Sequence, residues 1–325
     1  MPQMRNGSPD DRPEMRTKTE LERAVRSGGR TALIVNTRSR RGRRLFVSAR
    51  RRMAVGAPMA VFPVPDPVRL PDIFRTALAL RPDLVIVGGG DGTLKEAVAH
   101  LVNRDVVLGV LPLGTTNNFA RSLGLPLGLR GAAEVIRTGK VADVDAGFVR
   151  GAAGSDVFAN MVSLGVSVEV AAVVPAVLKR MVGRAAYALT ALRRIPVHRP
   201  FRATVVASGS TYDFTTHQLN IANGAHHSGR RIAHDATPDD RLLAVYRLGD
   251  EGRHRLAGAT LRHVLAGHRR SLDEEAFITT REVYVETRPP MAVDIDGEIR
   301  GRTPVRVSLL PNALRVLVPR DFVDT

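Results

Sequence analysis

Apolar residues in this chain fall in short dense runs through roughly the first 140 positions and in thinner, alternating runs after that. Ala32-Leu33-Ile34-Val35 has no polar interruption, the pattern of a strand covered on both faces. Comparable runs recur at 59–64, 83–87 and 106–111, and the segments between them, 40–54, 71–81 and 94–103, carry helical spacing. Strands alternating with helices predict a parallel sheet and an α/β domain. From about residue 141 the runs shorten and turn signals multiply: 141–149, 157–164, 201–208, 214–221, 242–248, 282–287, 291–295 and 305–309 predict a β-sandwich or barrel, interrupted by helical segments near 175–195 and 253–271. Residues 1–29 show no apolar period, which predicts a mobile basic arm with a frayed helix around 21–26.

Two loops carry the chemistry. The run at 83–87 leads into Gly88-Gly89-Gly90-Asp91-Gly92-Thr93 and then a helix. Glycines let backbone approach an anion closely, and free N–H groups at a helix start favour phosphate. The loop is not a Walker A sequence, because no Gly-Lys-Ser/Thr follows, and Thr93 stands where Gly-x-Gly-x-x-Gly needs its last glycine. The plain alternative is a tight strand-to-helix turn capped by Asp91 or Thr93. A second loop, Pro112-Leu113-Gly114-Thr115-Thr116-Asn117-Asn118-Phe119-Ala120-Arg121, follows the next strand. Open α/β sheets bind ligands at the carboxyl ends of such strands.

Gly-Gly-Asp-Gly-Thr followed by Pro-x-Gly-Thr-x-Asn-x-Phe-Ala-Arg resembles the diacylglycerol kinase catalytic domain. The resemblance extends in order through Val144-Asp145-Ala146-Gly147, Phe158-Ala159-Asn160, Asn223-Gly224, Asp235-Ala236-Thr237-Pro238-Asp239-Asp240 and Asp294-Ile295-Asp296-Gly297-Glu298. It implies a doubly wound α/β nucleotide domain over 30–142 plus about 312–323, a β-sandwich lipid domain over 143–311, and an active site in the cleft between. It further implies ATP contacts from Asn36, Gly88, Gly89, Gly90, Asp91, Gly92, Thr93, Gly114, Thr115, Thr116 and Asn117. Asp91 would join the metal and phosphate network, Asp296 would take the proton from a lipid hydroxyl, and Glu298 would stand beside it. The rival reading of Asp296-Gly297 is a two-residue hairpin turn, and one segment can be both.

Asp235, Asp239 and Asp240 concentrate hard oxygen ligands in one loop, which suits Mg²⁺ or Ca²⁺ or a solvated turn. By resemblance, Asp240 with the carbonyls of Thr237 and Leu242 would hold a structural Mg²⁺, and Asp145 would belong to a water network around the metal. Three departures stand out: Arg241 where the family has Gly, Asn118 where some members have Asp, and Thr-Arg-Ser-Arg after Asn36 in place of Pro-x-Ser-Gly. His226, His227 and His234 fit no zinc spacing.

Charge and composition narrow the field. The chain has 325 residues, a net charge of +16 and no cysteine, so disulfides and thiolate chemistry are excluded. Residues 1–52 hold 15 Lys and Arg against 5 Asp and Glu, and apolar positions between Leu178 and Ile195 alternate with Lys179, Arg180, Arg184, Arg193 and Arg194. That helix either lies at a membrane interface or packs on the sandwich. An anionic membrane fits the positive charge better than single-stranded nucleic acid does, since only 14 residues are aromatic and none is Trp. No apolar run nears the ~18 residues of a membrane span, and no secretory leader is evident. The expectation is an ATP- and Mg²⁺-dependent lipid kinase, cytoplasmic and peripheral on the membrane's inner face. Diacylglycerol is the first candidate acceptor, no specific nucleic-acid partner is expected, and homodimerisation stays open. The alternatives are a nucleotide- or lipid-binding regulator without turnover, and an NAD kinase, which shares the first motif.

Overall fold

A computed structural model describes residues 16–53, 58–173, 198–224, 226–227, 230–231, 239–248 and 276–324. The helical segments expected near 175–195 and 253–271, with Thr237, Asp235 and His234, lie outside the described residues.

The first half is doubly wound. Strands β1 (Thr31–Asn36), β2 (Met59–Val64), β3 (Leu84–Gly89) and β4 (Val107–Pro112) pair in parallel in the order β2-β1-β3-β4. The three strands β1, β3 and β4 are covered on both faces, as their unbroken apolar runs predict. One face packs Phe74 of α3 (Leu70–Ala79), Leu94 and Val98 of α4 (Asp91–Leu101), and Phe119 of α5 (Asn118–Ser122). The opposite face packs Leu21 of α1 (Lys18–Arg26), Ala49 of α2 (Arg40–Met53), and Ala132 and Ile136 of α6 (Leu129–Thr138).

Helix α1 corrects the expectation of a mobile arm through residue 29. Thr17 and Glu20 form a reciprocal capping box, Leu21 is 1% exposed in the core, and Arg16 pairs with Asp83 and Asp105 at 2.8 Å each. A single buried leucine plus long-range ion pairs fixes a helix whose own apolar content is too low to announce it.

The second half is the sandwich. One sheet runs β14 (Ile278–Thr280), β13 (Leu243–Leu248), β10 (Gln218–Ala222), β7 (Met161–Gly165), β16 (Ala292–Ile295) and β17 (Glu298–Arg302). The other contains β15 (Glu282–Arg288), β8 (Phe201–Ala207) and β9 (Ser210–Thr216) and is continuous with the parallel sheet through β18 (Val305–Val318). Phe158, Leu164, Val205, Ile221, Val285 and Ile295 interlock between the two sheets.

Strand β18 and its antiparallel partner β5 (Lys140–Gly151) serve both cores. Residues 314–318 of β18 pair with 140–144, beside β4, whereas 305–310 pair with 146–151, beside β15 and β6 (Gly154–Phe158). The register shifts between Leu310 and Leu314, where the ribbon passes from one core to the other. Two expected strands prove divided: 157–164 breaks at Ala159-Asn160, and 214–221 breaks at His217. The first break belongs to the site.

Candidate active site

The two glycine-bearing loops lie side by side at the carboxyl ends of β3 and β4. Gly90 precedes α4, and no side chain caps that helix, so neither Asp91 nor Thr93 fills the capping role that a plain turn would give it. The loops touch through glycine: a Cβ built on Gly114 would stand 2.4 Å from the Cα of Gly90. One built on Gly89 would meet Thr93 at 2.5 Å, whereas one on Gly92 meets nothing within 4 Å. Gly92 therefore presents open backbone, while Gly89, Gly90 and Gly114 permit close packing.

Asp91 fastens one loop to the other. Its Oδ2 accepts the Thr116 hydroxyl at 2.5 Å and its Oδ1 accepts the Asn118 N–H at 2.6 Å. Position 118 thus serves Asp91 through its backbone, which any residue but proline supplies. Asn117 takes a left-handed φ of 50° and its side-chain amide closes on both the N–H and the carbonyl of Gly114, at 2.9 and 3.0 Å. Asn36, at the end of β1, donates to the Thr93 hydroxyl at 3.0 Å. These contacts bring together Asn36, 88–93 and 114–117, the residues expected to meet ATP.

Facing them is the hairpin β16–β17, in which Ile295 pairs with Glu298 across the two-residue turn Asp296-Gly297. Both turn residues have positive φ, 51° and 92°, as such a turn requires. The candidate proton acceptor is the first residue of this turn. The Asp296 carboxylate accepts the N–H groups of Ala159 at 2.7 Å, and of Asn160 and Met161 at 3.0 Å each. These amides are free because β6 and β7 break there. Burial pushes the Asp296 carboxyl up to about 6, against the pull of those amides and of the Lys95 ammonium. Burial also raises Glu298, but Arg300 and Lys95 outweigh it and hold this carboxyl below its ordinary value.

Asp145 is fully buried, and its carboxylate accepts the N–H groups of Arg241 and Asn312 at 2.8 Å each. Burial raises its pKa, and the acids Asp240 and Asp239 add to the rise. Arg241 sits at a φ of 60°, the backbone region that favours glycine, which explains why an expected Gly position is conspicuous when Arg fills it. Asp240 accepts the Leu242 N–H at 2.9 Å. Among the described residues no group of three or more His, Asp or Glu is placed to hold a metal ion.

Lys95 belongs to the site although no motif marks it. It lies on the inward face of α4 among Leu94, Ala97, Val98 and Leu101, only 6% exposed, yet its Nζ reaches out of that domain. It donates to the Ile295 carbonyl at 3.2 Å and pairs with Glu298 at 3.2 Å and Asp156 at 3.3 Å. A lysine interrupting an apolar helix face was the available signal. Asn160 and Asn223, members of the ordered motifs, also face the site. Both are buried, with side-chain oxygens that have no hydrogen-bond partner, while the Asn223 amide donates to the carbonyls of Asp145 and Ala159.

Comparison with known proteins matches residues 30–149 to the diacylglycerol kinase catalytic domain and 160–318 to the YegS C-terminal NAD kinase beta sandwich-like domain. A probable YegS-like lipid kinase of Pseudomonas fluorescens is 34% identical over 256 residues, 77% of this chain and 82% of that one. A diacylglycerol kinase of Bacillus subtilis is 30% identical over 253 residues, 74% of this chain and 80% of that one. The crystal structure of a putative diacylglycerol kinase from Bacillus anthracis superposes with a TM-score of 0.74 at 22% identity, covering 91% of this chain and 97% of that one, a likeness of fold.

Proposed function

The chain belongs to the diacylglycerol kinase family and is a lipid kinase with ATP as its phosphoryl donor, and from that premise we propose that its acceptor is the free hydroxyl of diacylglycerol, with Asp296 as the proton acceptor. The observation that carries this reading is the pairing of Lys95 with Glu298 and the Ile295 carbonyl. Lys95 stands four residues after Asp91 on one helix, about 6 Å along its axis. The Asp-Gly-Glu turn is thereby held about one helical turn beyond the phosphate loop.

In this mechanism the backbone around Gly92 receives the phosphates of ATP, with Thr115 and Thr116 beside them. The lipid hydroxyl gives its proton to Asp296 as its oxygen bonds to the γ-phosphorus. The bond from that phosphorus to the β-phosphate oxygen breaks, and ADP leaves. Of the two carboxylate oxygens, Oδ1 already accepts two N–H groups and Oδ2 only one, so Oδ2 has the spare capacity. The partnerless oxygens of Asn160 and Asn223 can take a donor from the acceptor's glycerol end or from water. Asp91 and Asp145 are the residues that would serve Mg²⁺, which when bound would supply positive charge to offset that on the phosphates, and Asp240 with the carbonyls of Leu242 and Thr237 would hold a structural ion.

Transfer of label from [γ-³²P]ATP tests the reading against diacylglycerol, monoacylglycerol, a sphingoid base, a polyprenol and NAD. The expected product is labelled phosphatidate, formed faster than any other. Label in NAD alone would overturn the lipid assignment. Tight ATP binding with no labelled product from any acceptor would instead favour the regulator.

The acceptor must be met at a membrane surface. At the carboxyl edge of the parallel sheet, Arg43 and Arg44 near the start of α2 are exposed, as is Arg69, and Val68 projects with 81% of its surface free. No helix among the described residues is long and apolar enough to cross a membrane. We therefore propose peripheral attachment to anionic lipid through this edge, at about 1 kcal/mol per well-placed basic residue and weakening with salt. The basic helix expected at 178–195 lies outside the described residues. Co-sedimentation should show the chain with vesicles containing anionic phospholipid and far less with neutral ones. Replacing Arg43, Arg44 and Arg69 by Glu should release it, and equal binding to both vesicle types would refute the attachment.

A further inference from the structure

Of the 48 basic residues only four are lysine, and one of these four is buried at position 95. Burying an ammonium costs several kcal/mol unless its hydrogen bonds are met. Here Lys95 donates hydrogen bonds to Ile295 O and Glu298 Oε2 at 3.2 Å each, and its charge is paired with Asp156 Oδ2 at 3.3 Å. None of the three lies in the domain that carries the lysine. They come from β16, β17 and β6, the strands that form and flank the Asp296 turn. An apolar residue would serve the core of α4 as well, so the charge answers to the far side of the cleft.

We propose that Lys95 is a positioning residue that fixes the Asp296-Gly297-Glu298 turn against the phosphate-loop helix. The inference rests on the reading of Asp296 as proton acceptor. Phosphoryl transfer depends on placement of the hydroxyl relative to the γ-phosphate, and a displacement of 1 Å can cost about 10²-fold in rate. The same ammonium acts on Asp296 by charge. The charged groups around the turn are Lys95 from α4, Asp156 from β6, Asp294 from β16, and Glu298 with Arg300 from β17. Three of the five are acids, and Arg300 is already engaged by Glu298 at 2.7 Å. Without Lys95 the surroundings of Asp296 become more negative, and its proton is held to a higher pH.

The test is the pH dependence of kcat/KM for diacylglycerol in Lys95→Met, Lys95→Arg and Asp156→Asn, with ATP affinity measured alongside. Lys95→Met should lower kcat by about 10- to 100-fold and move the acid limb upward, with ATP affinity changed less than about threefold. Lys95→Arg keeps the charge and should restore the limb, but its planar fork cannot reproduce the contacts that converge on one ammonium, so kcat should recover only in part. Asp156→Asn takes a negative charge from the same surroundings and should move the limb downward, an opposite sign that a loss of stability cannot mimic. If Lys95→Met does not fold, this last variant decides. An unmoved acid limb in the folded variants overturns the proposal while leaving Asp296 in its role. An Asp296→Asn enzyme that keeps full turnover overturns both.

Discussion

Asp296→Asn should reduce kcat for phosphoryl transfer by about 10²- to 10⁴-fold, the contribution of a positioned general base, while ATP continues to bind. The amide has nearly the shape of the carboxylate, and one oxygen remains to meet the N–H groups of Asn160 and Met161, but it cannot take up the hydroxyl proton. The wild-type enzyme should lose activity as pH falls through about 6, where the buried Asp296 carboxyl becomes protonated. Stability gives an independent check with a fixed sign. The folded state holds this proton up to about pH 6, against an ordinary value of 3.8, so between those limits the native protein binds more protons than the unfolded chain. The stability contributed by this group therefore falls as pH rises through that window. Asparagine has no such titration. The Tm of the variant relative to wild type should accordingly become more favourable from pH 4 to pH 8. A difference independent of pH, combined with unimpaired turnover, would remove Asp296 from the mechanism.

What could be read from the sequence follows from where the physical signal is local. Strands β1, β3 and β4 announce themselves because burial on both faces demands unbroken apolar runs, and the two loops do so because close backbone approach demands glycine. The Asp296 turn was legible as a hairpin and, by resemblance, as a site. The three amides that hold its carboxylate were not, because they lie more than 130 positions earlier, at a break in what reads as one strand. Lys95 escaped for the same reason: its partners Asp156, Ile295 and Glu298 are distant in sequence, and a lysine on a helix ordinarily reads as solvated. Helix α1 escaped because its order comes from one core leucine and ion pairs to residues far along the chain. Asp145 was legible by resemblance, but its backbone partners were not, since Arg241 and Asn312 lie 96 and 167 positions away.

The glycines of the two loops divide by what surrounds them, and substitution by alanine should separate packing from phosphate approach. In Gly114→Ala the new Cβ would sit 2.4 Å from the Gly90 Cα and 2.8 Å from the Asn117 Oδ1. The first of these is backbone and cannot swing aside, so the loops must part, stretching the bonds from Asp91 to Thr116 and to the Asn118 N–H. The folded state should lose about 1–3 kcal/mol, the usual cost of overpacking, and ATP affinity should fall at least tenfold with the distorted loop. In Gly92→Ala the new methyl meets no protein atom within 4 Å, and position 92 is helical, where alanine is favoured over glycine by up to about 1 kcal/mol. That variant should be at least as stable as wild type without ligand. Its methyl nevertheless occupies the open face of the phosphate loop, so ATP affinity should again fall about tenfold or more, equivalent to about 1.4 kcal/mol. Thermal unfolding with and without ATP distinguishes the two: at a fixed ATP concentration the ligand-induced rise in Tm should shrink in both variants, whereas the ligand-free Tm should drop only in Gly114→Ala. A Gly92→Ala protein with a full ATP-induced shift would mean that the phosphates do not pass over Gly92, and the nucleotide would then have to be placed against the second loop instead.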